Sequence, residues 1–216
     1  MNKNLTELVF ILDKSGSMCG LEQDTIGGFN SLIEKQKKEE GEVVVSTVLF
    51  NQEMTFIHNR VDINEVSKMT SKDYFTGGCT ALLDAMGNTI KTISEKQEQL
   101  KDEYKPNKTM VIITTDGLEN ASTEYTFDSI KRLISKQTEL GWEFIYLGAN
   151  IDAVKEAARV GIRAEMAVNY NCDSEGLDIN YSALSSAISE MKTKGCVSQK
   201  WRRRIDLDYQ KRGKRK

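Results

Sequence analysis

Hydrophobic positions in this 216-residue chain follow two alternating rhythms. Short runs that are apolar at successive positions, such as Leu8-Val9-Phe10-Ile11-Leu12 and Met110-Val111-Ile112-Ile113, read as strands covered on both faces. Between such runs lie longer stretches with apolar residues three and four apart, the mark of amphipathic helices. Strands are expected at residues 8–12, 43–50, 55–59, 110–115, 144–147 and 166–168. One helix is marked by Ile26, Phe29 and Ile33, and a second by Leu82, Met86, Ile90 and Ile93. A third carries Phe127, Ile130, Leu133 and Ile134, with Gly141 placed to stop it. Residues 153–159 make a short helix ended by Gly161, and residues 181–191 make the last. This alternation predicts an α/β fold, a doubly wound, mainly parallel central sheet with helices on both faces. The short polar turn Asn51-Gln52-Glu53 makes the second and third strands a hairpin, so one edge strand is antiparallel. Gly27-Gly28 costs the first helix about 1 kcal/mol per glycine, and close helix-to-sheet packing is the expected compensation.

In an open sheet of this kind, ligands bind beyond the carboxyl ends of the strands, where the strand order reverses. Two predicted strands end there in acid-bearing loops. Asp13-Lys14-Ser15-Gly16-Ser17 follows the first, and Thr114-Thr115-Asp116-Gly117 closes the fourth. A third segment, Thr76-Gly77-Gly78-Cys79-Thr80, precedes the second helix on the same side. One carboxylate and two hydroxyls at alternate positions form an oxygen-only, weakly charged donor set, which suits a hard cation such as Mg²⁺. Taken alone, Asp13, Ser15 and Ser17 also fit a strand-to-helix turn with capping hydroxyls. Thr80 and Asp116, in the right order, weigh against that plainer reading.

Together the three segments resemble the metal-ion-dependent adhesion site (MIDAS) of the von Willebrand factor A (vWA) family, written D-x-S-x-S, then Thr, then Asp. The resemblance spans roughly residues 5–170. It implies the Rossmann-like vWA fold and a metal held by Asp13, Ser15, Ser17, Thr80 and Asp116. In the family pattern the two serines bind directly, the two aspartates directly or through water, and Thr80 directly in the high-affinity state. Mg²⁺ is the implied ion, with Mn²⁺ and Ca²⁺ as alternatives. An ion surrounded mainly by neutral hydroxyls keeps much of its charge and can accept an Asp or Glu from a partner protein. The function implied is a non-enzymatic, divalent-metal-dependent protein-binding module. The rival is a Mg²⁺-dependent phosphohydrolase or phosphotransferase with Asp13 as nucleophile. Haloacid-dehalogenase-type enzymes carry a second Asp where this chain has Ser15, and no further acid, base or Lys suited to that chemistry stands out.

Composition adjusts this picture in three places. No apolar run is long enough to span a bilayer, and the first residues lack the apolar stretch of a secretory signal. A cytoplasmic location with no membrane partner is therefore expected, and the layout is similar to intracellular bacterial or phage members of the family. The net charge of −2 conceals an asymmetry: residues 200–216 hold nine Lys and Arg against two Asp, a balance of +7, leaving −9 on residues 1–199. This divides the chain into a vWA-like domain at 1–199 and a basic C-terminal tail at 200–216. The basic runs 201–204 and 211–216 raise a nucleic-acid-associated scaffold as a further alternative, against the plainer reading of a solvated terminus. Cys19, Cys79, Cys172 and Cys196 include no C-x-x-C pair, so free thiols are expected. A disulfide between Cys19 and Cys79 that perturbs metal binding is the alternative. His58 reads as surface on an edge strand, Glu119 and Asn120 as solvated loop residues, and Asp84 as a helix-start charge.

Overall fold

Unbroken apolar character places β1 (Asn2–Asp13) at the centre of a sheet. Leu8 to Leu12 are each no more than 2% exposed. In the computed structural model, which describes residues 2–213, five further strands flank it. These are β2 (Glu42–Phe50), β3 (Met54–Asp62), β4 (Pro106–Thr115), β5 (Trp142–Ala149) and β6 (Ala167–Tyr170). The order across the sheet is β3-β2-β1-β4-β5-β6, with every pairing parallel except the β2–β3 hairpin. The expected doubly wound sheet with one antiparallel edge strand is therefore present, and the strand order reverses between β1 and β4. Asp13 and Thr115 are the last residues of those two strands.

The helices are α1 (Glu22–Gln36), α2 (Leu82–Gln99), α3 (Phe127–Glu139), α4 (Ala153–Arg159), α5 (Ser174–Lys194) and α6 (Arg203–Arg212). Gly141, at φ +88°, ends α3 as anticipated. Among the described residues, no helix is long and apolar enough to cross a membrane.

Four local readings differ from the structure, each for a physical reason. β1 starts well before Leu8, because Glu7 is fully buried in it. Its carboxylate is paired with Arg60 and accepts a hydrogen bond from Gln97 Nε2 at 2.8 Å. Burial raises its pKa despite those partners. His58 is not surface: it is 5% exposed, with Nδ1 3.1 Å from Thr47 Oγ1 and Nε2 3.1 Å from Ser67 Oγ. Burial lowers its pKa, and the ring stacks on Phe29 at 6.2 Å between centroids. Gly28 is packed against α5 rather than the sheet, since a Cβ there would stand 2.1 Å from Tyr181 Cδ2. Lastly, the basic stretch is largely folded. A one-turn 3₁₀ helix over Gln199–Arg202 leads into α6, burying Trp201 at 5% and Ile205 at 1% exposure. The indole Nε1 of Trp201 donates to the Glu165 carbonyl at 3.2 Å. Two spaced apolar side chains were enough to dock a segment whose composition reads as solvated. Residues 214–216 of that stretch lie outside the described residues.

The two adjacent glycines of α1 separate helix propensity from packing. A methyl on Gly27 meets nothing within 4 Å, so Gly27→Ala should stabilise the protein by up to about 1 kcal/mol. Gly28→Ala should instead cost about 1–3 kcal/mol through overlap with Tyr181. Urea unfolding of both variants checks the opposite signs.

Candidate metal centre

The site begins where β1 leaves the sheet. Asp13 is 2% exposed and its two oxygens face different partners. Oδ1 accepts from the Ser15 backbone N–H at 2.7 Å, and Oδ2 accepts from Thr115 Oγ1 at 2.6 Å. Its carbonyl accepts from the buried Tyr74 hydroxyl at 2.5 Å. The chain then turns through a 3₁₀ helix, Gly16–Met18, pinned by buried Met18. This turn brings Ser15 Oγ and Ser17 Oγ to 3.1 Å of each other, and Ser17 Oγ donates to Asp116 Oδ1 at 2.5 Å. Lys14 does not neutralise the aspartates by ion pairing; its Nζ lies 4.6 Å from the centre of the Phe75 ring.

Thr80 arrives on a loop tied to this turn by its backbone. Gly77 N donates to the Lys14 carbonyl at 2.9 Å, and Gly16 N to the Gly78 carbonyl at 3.1 Å. Gly78 takes φ +78°, which favours glycine there. Asn51, from the β2–β3 turn, braces the loop: its Nδ2 donates to the Gly77 carbonyl at 2.9 Å, and its carbonyl accepts from Ala81 N at 2.8 Å. A Cβ built on Gly117 would stand 3.4 Å from Thr80 Oγ1 and 3.5 Å from Ser17 Oγ. Both hydroxyls thus flank one face of Gly117, beside Asp116. All five residues picked out from the sequence, Asp13, Ser15, Ser17, Thr80 and Asp116, converge at this end of the sheet.

Several residues that hold the site together escaped the sequence reading. Asn120 is an exposed loop residue, as read, but it also braces Thr80: its Oδ1 accepts from Thr80 N at 2.9 Å, and its own N–H donates to the Thr80 carbonyl at 3.0 Å. Glu119 accepts from Leu83 N, at the start of α2, at 2.9 Å, and from Ala121 N and Ser122 N. Asp84 does more than sit at a helix start, since it accepts the backbone N–H groups of Thr123, Glu124 and Tyr125. Cys172, on the loop after β6, donates its thiol to Asp116 Oδ2 at 3.8 Å. The signal for Thr115 lay inside the Thr114-Thr115-Asp116-Gly117 segment; the others depend on tertiary contacts that local spacing does not encode. No disulfide joins the four cysteines among the described residues, and Cys19 and Cys79 are exposed.

Electrostatically, the site presents two buried carboxylates among neutral groups. Burial raises the Asp13 pKa, opposed by hydrogen bonds from Thr115 and Ser15. Burial also raises that of Asp116; the Ser17 hydrogen bond opposes it and the nearby Asp13 charge adds to it. Neither carboxylate forms an ion pair among the described residues. Nor do three or more His, Cys, Asp or Glu side chains there form a cluster able to hold a metal. Any ion here must draw on hydroxyls, and three hydroxyls with two acids fit a hard divalent cation. A bound cation would also relieve the cost of two buried negative charges.

A six-stranded, mainly parallel sheet with this site at its switch point defines a vWA-type fold, and comparison with solved structures agrees. The pilus tip protein Mfa5 of Porphyromonas gingivalis has a vWF domain that matches at TM-score 0.63 and 10% identity, over 89% of this chain and 98% of that one. Manganese-loaded TRAP of Plasmodium vivax matches at TM-score 0.58 and 18% identity, over 83% and 73%. Proximal thread matrix protein 1 of the mussel byssus, with zinc in its MIDAS motif, matches at TM-score 0.58 and 16% identity, over 85% of this chain. This chain spans about half (46%) of the mussel protein's length. At these identities the likeness shows the fold. No family model matches the chain, and no curated protein matches it.

The raised carboxyls set a sign for stability without metal. A carboxyl whose pKa is higher folded than unfolded opposes folding once ionised. That penalty is absent below the ordinary aspartate value of 3.8 and is complete above the folded value. In chelator, Asp13→Asn should therefore melt at a higher temperature than wild type at pH 7, with the advantage vanishing toward about pH 3. Thermal melts across that range test it; a variant less stable at pH 7 contradicts it.

Proposed function

We propose that this protein is a divalent-metal-dependent protein-binding module in which Asp13, Ser15, Ser17, Thr80 and Asp116 hold Mg²⁺. Mn²⁺ and Ca²⁺ are alternative occupants. The observation that carries this reading is a pair of buried carboxylates, with no ion pair among the described residues, gathered with three hydroxyls: two from the turn after β1 and one from the loop before α2. Such a donor set is rich in oxygen and poor in charge. The ion it holds supplies a Lewis-acidic position for an Asp or Glu side chain of a partner protein. The chain's own part is to keep hydroxyls, rather than further carboxylates, at Ser15, Ser17 and Thr80, so that the partner's charge is not repelled. Exposed apolar side chains support a docking role: Phe75, beside Lys14, is 58% exposed, and Leu118, two residues after Asp116, is 54% exposed. The zinc-occupied MIDAS of the mussel protein and the manganese-loaded TRAP give the same reading an analogy in fold. Hydrolytic chemistry at Asp13 is disfavoured because Ser15 stands where haloacid-dehalogenase-type enzymes carry a second Asp.

Calorimetric titration of Mg²⁺ and Mn²⁺ into chelator-treated protein tests the proposal. One saturable site is expected, weakened at least about 100-fold in Asp13→Ala/Asp116→Ala and weakening as the pH falls toward the carboxyl pKa values. Binding that survives in the double variant would place any metal elsewhere and sink the assignment. A short Asp-containing peptide should bind the metal-loaded protein and be lost on chelation, whereas metal-independent peptide binding would remove the metal from recognition.

A further inference from the structure

The C-terminal helix reaches the metal centre through one loop. β6 ends at Tyr170 and α5 begins at Ser174, leaving only Asn171, Cys172 and Asp173 between them. The middle residue of the three is the one whose thiol contacts Asp116 Oδ2. The residues on either side of it are gripped by the last turns of α6. Asp208 accepts from Asn171 Nδ2 at 2.9 Å. Arg212 grips Asp173 with two guanidinium nitrogens, Nη1 to Oδ2 at 2.6 Å and Nη2 to Oδ1 at 3.1 Å. The same guanidinium holds Asp208 with two more bonds, Nε to Oδ1 at 2.6 Å and Nη2 to Oδ2 at 2.7 Å. One planar cation thus joins both flanks of Cys172, using the fork geometry that suits Arg to paired carboxylates.

The loop has little freedom left on its other side. Asp173 caps α5 by accepting from Gly176 N at 2.8 Å, and the Asn171 carbonyl accepts from Asp173 N at 2.9 Å. A Cβ on Gly176 would fall 1.9 Å from that carbonyl oxygen, so the turn closes directly onto the helix. The helix that supplies Arg212 is itself anchored at its start by buried Trp201 and Ile205. The partners of Asp116 are then set by two elements distant in sequence: Ser17 on Oδ1 and the α6-held Cys172 on Oδ2.

We infer that α6 is an integral support of the metal centre, with Arg212 the positioning residue that holds the Asn171-Cys172-Asp173 loop against Asp116 and so tunes metal affinity. The affinity part of this inference rests on the metal-binding reading above. Groups that orient a ligand from behind commonly change metal affinity by about 10-fold or more when lost, and Arg212 acts one step further out.

The test uses the full chain with two readouts. The first is Mn²⁺ affinity by calorimetry, and the second is the rate of Cys172 alkylation by iodoacetamide in chelator, followed by peptide mass spectrometry. Arg212→Ala should weaken Mn²⁺ by about 3- to 10-fold and speed Cys172 alkylation by at least about 3-fold as the loop opens locally. Arg202→Ala is the control. Its guanidinium holds Asp206 and the Ala164 carbonyl at the other end of α6, and it should change neither readout. Adding Arg212→Ala to Cys172→Ala should cause no further loss of affinity if the effect passes through the thiol. Unchanged alkylation in Arg212→Ala, or equal changes in Arg202→Ala, overturns the inference. If wild type binds no Mn²⁺, the metal reading fails, and alkylation alone still decides whether Arg212 restrains this loop.

Discussion

A buried carboxylate at the end of the central strand is the constraint on which the upper face of this protein depends. Asp13 is carried into the interior by a strand that is apolar on both faces, yet its charge needs partners there. Those partners come from every neighbouring segment: the Ser15 amide, the Thr115 hydroxyl and, on the Asp13 carbonyl, Tyr74. Each contact draws a loop inward, and the loops then bind one another through Gly16, Gly77 and Gly78. The result is a cluster of oxygens whose residual negative charge is not cancelled by an ion pair among the described residues. A second buried acid, Asp116, adds to that imbalance instead of relieving it.

The fold was legible because its signals are local and redundant. Successive apolar residues marked the central strands, three-and-four spacing marked most of the helices, and a three-residue polar turn marked the hairpin. The site was legible for a different reason: D-x-S-x-S, Thr and Asp each sit at a strand end or loop that the fold rule brings to one edge. What stayed hidden was long-range polar pairing. Nothing near Glu7 in sequence announces Arg60, 53 residues away, so the extension of the first strand back through a buried charge stayed unread. Asn120 resembles any loop asparagine until its pairing with the Thr80 backbone is seen.

The basic stretch shows how composition can mislead in the same way. A run with a balance of +7 reads as a surface seeking an anionic partner. Part of that charge is answered within the chain, since Arg202 pairs with Asp206, and Arg212 with Asp173 and Asp208. Charge counting treats residues as independent, whereas a helix places i and i+4 side chains together and lets two acids answer two arginines. The two apolar side chains that dock the segment, Trp201 and Ile205, are four residues apart for the same geometric reason.

The low identities to its structural neighbours, 10–18%, are consistent with where specificity resides in such a molecule. A doubly wound sheet needs only patterned apolar residues, which many sequences satisfy and which leave little trace at the level of identity. The site needs a few hydroxyls and acids at strand ends, and these are too few to raise an alignment score. Between the two lie the residues that hold loops in register, such as Asn51, Asp84, Glu119, Asn120 and Arg212. Apart from Arg212, which grips carboxylates, they contact backbone more than side chains, so another chain can meet the same demand with different residues. Divergence in that middle layer can alter loop stiffness, and with it the openness of the candidate site, while the sheet and the oxygen cluster stay as they are. Differences among proteins of this fold in how firmly they hold an ion are therefore to be sought in the braces behind the site as much as in the ligands.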